Sequence, residues 1–374
     1  MSAFAELPTP TVLLDRAKLD RNLARMAARM RSLGVDLKPH LKTAKSAEIA
    51  RHATKGFSGG ITVSTLAEAA YFAEAGFRDI TYGVAIVSAK LPAAAALIER
   101  GVALTLVTDN PVAARAAGEE GRRRGIQFPL LIEIDTGSGR AGVDPASGLL
   151  LEIARAVTES GAALAGVLTH AGHSYEAKGA AELRAVAEEE RAGVVAAAER
   201  LRQAGFPCPR ISAGSTPTAI FAERLTGVTD MRPGVYMFGD LMQAAIGTCT
   251  ADDIALTVLA SVIGVYPERN LALIDAGSLA LSADRGAAAM LPDTGNGWVL
   301  DTASRRIDGL FVERVHQEHG FVTARTPLPF ERLAVGTRLR ILPNHSCITA
   351  AAHNRYHVVE GGRVVAEWER VNGW

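Results

Sequence analysis

Three basic side chains, Lys38, His40 and Lys42, stand at alternate positions in a segment that reads as a buried strand over Val35–Lys42. Alternate residues of an extended chain share a face, so these three line one side while Val35, Leu37 and Leu41 occupy the other. A cationic face on a buried strand is costly unless the charges are put to use. Desolvation lowers the pKa of a lysine and turns it into an amine nucleophile. The plainer alternative is a solvated edge strand carrying stray lysines, so the segment has to be weighed against the rest of the chain.

Two further groups of residues carry chemistry. In Ser212-Ala213-Gly214-Ser215-Thr216-Pro217-Thr218, small residues let backbone N–H groups converge, and the hydroxyls add donors, as a phosphate site requires. Arg232-Pro233-Gly234-Val235-Tyr236 follows, where Gly234 permits close approach and Tyr236 can donate to the same anion. A lysine and a phosphate cradle on one rim fit a phosphorylated aldehyde. Pyridoxal 5′-phosphate (PLP) is such a group, with the lysine as its Schiff-base partner; a sugar-phosphate aldolase is the chemical rival. The second group is Pro343-Asn344-His345-Ser346-Cys347. If it is a strand, His345 and Cys347 point the same way and offer an imidazole and a thiolate to one metal ion with positions left open. His353 and His357 lie nearby and read as structural or supporting residues.

These residues need a scaffold. Leu19 to Leu33 is helical, with Leu19, Leu23, Met26 and Met30 on one face. Eight apolar runs follow, at Val35–Lys42, Gly60–Ser64, Asp79–Val84, Leu104–Thr108, Phe128–Asp135, Leu164–His170, Pro209–Gly214 and Asp230–Asp240. Helical segments such as Leu66–Ala75, Pro92–Arg100 and Ala180–Gln203 separate most of them. This alternation predicts a (β/α)8 barrel with its site at the C-terminal strand ends. Those ends are Lys42, Ser64–Thr65, Asp135 to Arg140, His170 to Tyr175, Gly214 to Thr218, and Asp240. A doubly wound sheet would show Gly-x-Gly-x-x-Gly after its first strand, which this chain lacks. Beyond about residue 250 the helices stop. Ile254–Tyr266, Leu271–Ala276, Phe311–Val315, Thr337–Leu342 and Arg355–Arg370 read as an all-β domain, with Gly361-Gly362 as a hairpin turn. Pro10–Asp15 forms a lone strand before the barrel. The expected division is a barrel over residues 16–245 and a β domain from 1–15 and 246–374.

Composition sets the outer bounds. The 374 residues are 48% hydrophobic, with 40 Lys+Arg balancing 40 Asp+Glu. Such balance argues against a general nucleic-acid or membrane-surface binder. No apolar run is long enough to span a bilayer, and the N-terminus lacks a signal-peptide pattern. Cys208, Cys249 and Cys347 are too scattered for a disulfide framework, which points to a reducing, cytoplasmic setting.

Taken together, Thr9-Pro10-Thr11, Pro39-His40-Leu41-Lys42-Thr43-Ala44-Lys45, the 212–218 loop, the 232–236 segment and Pro343–Cys347 resemble fold-type III PLP enzymes, in particular the D-threonine aldolase / D-serine dehydratase family related to alanine racemase. The resemblance runs over essentially the whole chain, in the family's motif order. It implies an alanine racemase-like barrel with a C-terminal β domain, a homodimer, and a divalent metal beside PLP. It makes Lys42, and not Lys45, the Schiff-base lysine; Lys45 itself reads as lying in the following helix. It sets Gly214, Ser215, Thr216, Gly234 and Tyr236 around the phosphate. Arg140 takes the place of the arginine in a Gly-x-Gly-Arg-x-Gly-like turn near the cofactor. His40, His170 and Tyr175 join the cofactor surroundings, and His345 and Cys347 hold the metal. The family's aldolases carry His-x-Asp at the metal pair and a tyrosine at the place of His170; its zinc-dependent dehydratases carry His-x-Cys. A thiolate suits zinc, whereas carboxylates suit Mn2+ or Mg2+. The implied activity is β-elimination on a D-3-hydroxy amino acid, with retro-aldol cleavage to glycine and an aldehyde as the alternative. An amino-acid racemase and a non-enzymatic PLP carrier are more distant ones.

Overall fold

The computed structural model describes residues 4–374. The chain divides into two compact units. One comprises Arg25–Gly234 with Val371–Trp374; the other takes the residues through Ala24 and Val235–Arg370.

The first unit is built on eight parallel strands: Asp36–Leu37, Ile61–Val63, Asp79–Ala85, Ala103–Thr108, Pro129–Ile134, Ala163–Thr169, Arg210–Ala213 and Asp230–Met231. From Ile61–Val63 onward each pairs with the next in the chain, and Asp230–Met231 pairs with Asp36–Leu37. A parallel bridge between His40 and Thr62 closes the ring; Leu41 N–H donates to the Thr62 carbonyl (2.8 Å) and Thr62 N–H to the Pro39 carbonyl (3.0 Å). The fold is therefore the (β/α)8 type that the alternation predicts. The intervening helices follow from sequence. Asn110 caps Pro111–Arg124 by accepting from Val112 N–H, and Gly125 ends it with φ 70°. Ser147 caps Gly148–Glu159, whose Leu150, Ile153, Ala154 and Val157 are buried.

Two barrel strands are shorter than expected. Regular pairing in the first ends at Leu37, because Pro39 has no N–H to give. Lys42 consequently stands in a turn beyond the His40 bridge, not on a strand. Lys45 is not in a helix either: it adopts φ 47° in the loop before Ala47–Ala53. In the eighth segment Pro233 and Gly234 end the ladder at Met231, and Val235–Met237 forms a 3-10 turn.

The second unit holds a nine-stranded sheet. Six of its strands close on themselves through the pairing of Leu256–Tyr266 with Leu271–Ile274, giving an antiparallel barrel. Thr11–Asp15 joins the same sheet, antiparallel to Leu256–Tyr266 and parallel to Arg355–Glu360. The hairpin falls at Gly361-Gly362, where Glu360 faces Arg363 and the glycines take φ 56° and 77°. Strands Trp298–Leu300 and Gly320–Thr323 are additions that the sequence pattern did not mark. Among the described residues no helix is long and apolar enough to cross a membrane.

Candidate active site

A cavity of about 360 Å³ opens at the C-terminal ends of the barrel strands, lined by His40, Lys42, Glu133, Arg140, His170 and Arg232, with Gly214 beside them. The lysines around it are not equivalent. Lys38 pairs with Asp79, and Lys45 Nζ lies 3.1 Å from Oε1 of the buried Glu68. Lys42 lines the cavity, and its amine has no ion-pair partner among the described residues.

Both histidines of the cavity are held neutral. Burial is the main cause of the depressed pKa of His40, and Lys42, Arg232, His170 and Arg140 add to it. Its Nδ1 accepts from the Lys42 N–H at 3.4 Å, which leaves the ring proton on Nε2. Burial first, and Lys42 next, pull His170 down to about 3. The His170 Nδ1–H donates to the Gly214 carbonyl at 3.0 Å, so Nε2 holds the lone pair.

Arg232 is fully enclosed, and burial lowers it to about 10, still cationic at neutral pH. Its guanidinium donates to Ser212 Oγ (2.6 Å) and the Thr169 carbonyl (2.6 Å). Burial pushes the Glu133 carboxyl up, and Arg140, 3.6 Å away, pulls it back. Arg140 sits on a loop whose glycines do structural duty: Asp135 accepts from Gly137 and Gly139 N–H, and a Cβ on Gly142 would stand 2.7 Å from the Asp135 nitrogen. With Lys42, Arg140 and Arg232 set against one carboxyl, the cavity is cationic and suits an anionic ligand.

The other predicted cofactor residues are placed differently. Gly214 takes φ 121°, and a Cβ there would come 2.9 Å from the Arg232 nitrogen. A Cβ on Gly234 would meet the His40 carbonyl at 2.6 Å. Ser215 and Thr216 do not line the cavity. The Ser215 hydroxyl caps the helix Thr216–Phe221 and lies 3.0 Å from Ser174 Oγ. Tyr175 ends the turn Gly172–Tyr175, also off the cavity wall. Tyr236 belongs to the other unit, buried in the Val235–Met237 turn, where burial raises its phenol.

His345 and Cys347 do not lie on a strand. The strand Arg338–Leu342 ends before them; His345 is the N-cap of Ser346–Ala351 and Cys347 sits in its first turn. They converge through helix-start geometry, with the Cys347 thiol within hydrogen-bond reach of the His345 ring. His345 Nδ1 contacts Asp284 Oδ2 at 2.7 Å. Asp240, read from sequence as a barrel-rim residue, accepts from Ser346 N–H (3.0 Å) and Gln243 N–H (2.8 Å), so it braces the residue between the pair. Burial alone would lower His345, but Cys347, Asp240 and Asp284 raise it to about 10. This environment stabilises positive charge at the ring. Among the described residues no three His, Cys, Asp or Glu side chains form a metal cluster. The pair still fits a divalent ion: an imidazole oriented by a carboxylate, a thiol, and open positions. His353 and His357 are structural: His353 Nε2 meets the Ala280 carbonyl (3.1 Å) and His357 Nδ1 lies 3.2 Å from Glu367 Oε1.

Residues 14–242 match the sequence profile of the alanine racemase N-terminal domain, and residues 255–359 that of a serine dehydratase domain. The chain is 47% identical to D-threo-3-hydroxyaspartate dehydratase of Delftia sp. (strain HT23), over 98% of each. The solved structure of that enzyme superposes with TM-score 0.97 at 46% identity over 100% of both chains, and a structure of a cysteine-to-alanine mutant of it is described as the metal-free form. D-serine dehydratase of Dictyostelium discoideum is 33% identical over 94% of this chain and 93% of that protein.

Proposed function

The chain belongs to the alanine racemase-like, fold-type III family of PLP-dependent enzymes, and from that premise we propose that it is a D-threo-3-hydroxyaspartate- or D-serine-type dehydratase, releasing a 2-oxo acid and ammonia. It is a lyase, as its dehydratase and aldolase relatives are. The observation that carries the choice of β-elimination is the His345–Cys347 pair with Asp284 behind it, a donor set suited to zinc.

In this reading Lys42 is the residue that binds the cofactor aldehyde, because its amine alone of Lys38, Lys42 and Lys45 is unpaired. Gly214, which lines the cavity, would receive the phosphate while Ser215 caps the helix behind it, and Gly234 lets the chain pass close to His40. Bound PLP supplies an electron sink for charge left at the α-carbon, and the divalent metal a Lewis acid for the departing hydroxyl. Arg140 and Arg232 hold substrate or cofactor anions by charge. Lys42 Nζ, on the cavity wall, would be the base that takes the α-proton. His40 and His170, kept neutral by burial and by the neighbouring cations, add no competing acid at neutral pH. Asp284 orients the His345 ring, and His345 with Cys347 would hold the metal. The active species is proposed to be a homodimer, which light scattering tests.

The purified enzyme, loaded with PLP and zinc, is given D-threo-3-hydroxyaspartate, D-serine or D-threonine. Release of ammonia and 2-oxo acid in equal amounts is the expected result. Glycine and an aldehyde without ammonia would overturn the dehydratase reading and support the aldolase one. Exchange of α-hydrogen with inversion and no cleavage would point to a racemase.

A further inference from the structure

The helix Gly179–Gln203 connects the strands Ala163–Thr169 and Arg210–Ala213, and midway along it Glu190 is 1% exposed. One oxygen of this carboxylate, Oε1, accepts both the Ala171 N–H at 2.8 Å and the Gly214 N–H at 3.1 Å. Thr218 adds a side-chain hydrogen bond. The two backbone donors flank a third bond: His170, the residue before Ala171, donates its Nδ1–H to the Gly214 carbonyl at 3.0 Å. A single buried carboxylate therefore clamps both ends of the bond that sets the His170 ring.

We propose that Glu190 is a positioning residue, which, by tying Ala171 to Gly214, locks His170 as the Nδ1–H tautomer with Nε2 as the lone-pair nitrogen of a ring lining the cavity. The inference rests on the cavity being the active site of the proposed lyase. A neutral histidine takes its tautomer from whatever hydrogen bond its other nitrogen makes, and here that partner is the carbonyl of Gly214, the residue whose N–H Glu190 holds. The Glu190 carboxyl, raised by burial and lowered again by these donors, has no ion-pair partner among the described residues, so its work is acceptance of hydrogen bonds. Because both backbone bonds end on the same oxygen, an amide oxygen can replace it.

The test uses 15N-histidine-labelled holoenzyme, with the His170 resonances identified by their loss in His170→Asn. The wild-type protein and Glu190→Gln are expected to show the Nδ1–H tautomer, with kcat of the Gln variant within about threefold. Glu190→Ala is expected to shift toward Nε2–H and to lose at least about tenfold in kcat, a loss the Gln variant escapes. A purely structural role would lower the melting temperature without moving the tautomer. Wild-type protein in the Nε2–H form overturns the proposal even if Glu190→Ala does not fold, as does a folded Glu190→Ala that keeps Nδ1–H. The tautomer is read without substrate, so its failure is separable from a failure of the product assay, which concerns the lyase reading.

Discussion

Lys42 differs from its neighbours by what it does not touch. Glu68 and Asp79 occupy Lys45 and Lys38, and each of those pairs is at least partly screened from water. Removing either lysine therefore tests stability, whereas removing Lys42 tests chemistry. Lys45→Met leaves Glu68 buried without its cation, at a cost of about 3–5 kcal/mol, but the protein retains the yellow colour of lysine-bound PLP. Lys42→Ala is expected to fold with little change in melting temperature and to lose both that absorbance and turnover. Visible spectra of the two variants after loading with PLP decide the assignment; colour retained in Lys42→Ala would move the site to another amine.

At the level of elements, the sequence carried the helices and the order of strands but not the strand ends. Helical periodicity places Leu66–Glu74 and Gly179–Gln203 within a residue of the expected limits, because a buried stripe repeats many times along each. The first and eighth barrel strands were read too long because apolar residues continue past Pro39 and Pro233, where the ladder must stop. The same blindness to local geometry put His345 and Cys347 on a strand when a helix begins at Ser346. Glu190 was illegible for another reason. It ends the run Glu188-Glu189-Glu190, which reads as a solvated face, although it shares the buried stripe of Leu183, Ala187, Val194 and Leu201. Position on that stripe, rather than residue type, was the available signal. Glycine costs follow the same geometric logic. Gly166, on the strand that delivers His170, has φ 134°, and a Cβ there would stand 1.9 Å from the Arg210 carbonyl. Gly166→Ala must force that neighbouring strand apart and is expected to cost about 3–5 kcal/mol. At Gly361, φ is 56° with nothing within 4 Å, so Gly361→Ala should cost only about 1–2 kcal/mol of left-handed strain. Urea unfolding of both variants checks the ranking, and equal losses would contradict it.

Across the whole molecule the two signs of charge balance at neutral pH, and down to about pH 4.5, where most carboxylates stay ionised, buried groups set the pH dependence of stability. His170 titrates at about 3 in the fold and near 6.5 when unfolded. Between those values the unfolded chain binds more protons, so His170 stabilises the fold fully above about pH 6.5 and loses that contribution as pH falls, by at most about 1.4 kcal/mol per unit. His40, depressed by burial, acts in the same direction. Asp240 acts in the opposite one. Burial raises it to about 6, so its contribution is present at low pH and lost as pH rises from about 4 through 6. The wild-type curve is thus a difference of opposing terms, and single variants separate them. His170→Asn is expected to lose about 2 kcal/mol less than wild type on going from pH 6.5 to 4.5. Asp240→Asn removes the opposing term, so the protein should lose more stability than wild type over the same range, on top of any pH-independent cost of weakening the brace at Ser346. Thermal unfolding at several pH values measures both. Parallel curves for His170→Asn and wild type would mean that the imidazole is not buried neutral. The account of the cavity, with burial first and Lys42, Arg140 and Arg232 after it holding both rings uncharged, would then fail with it.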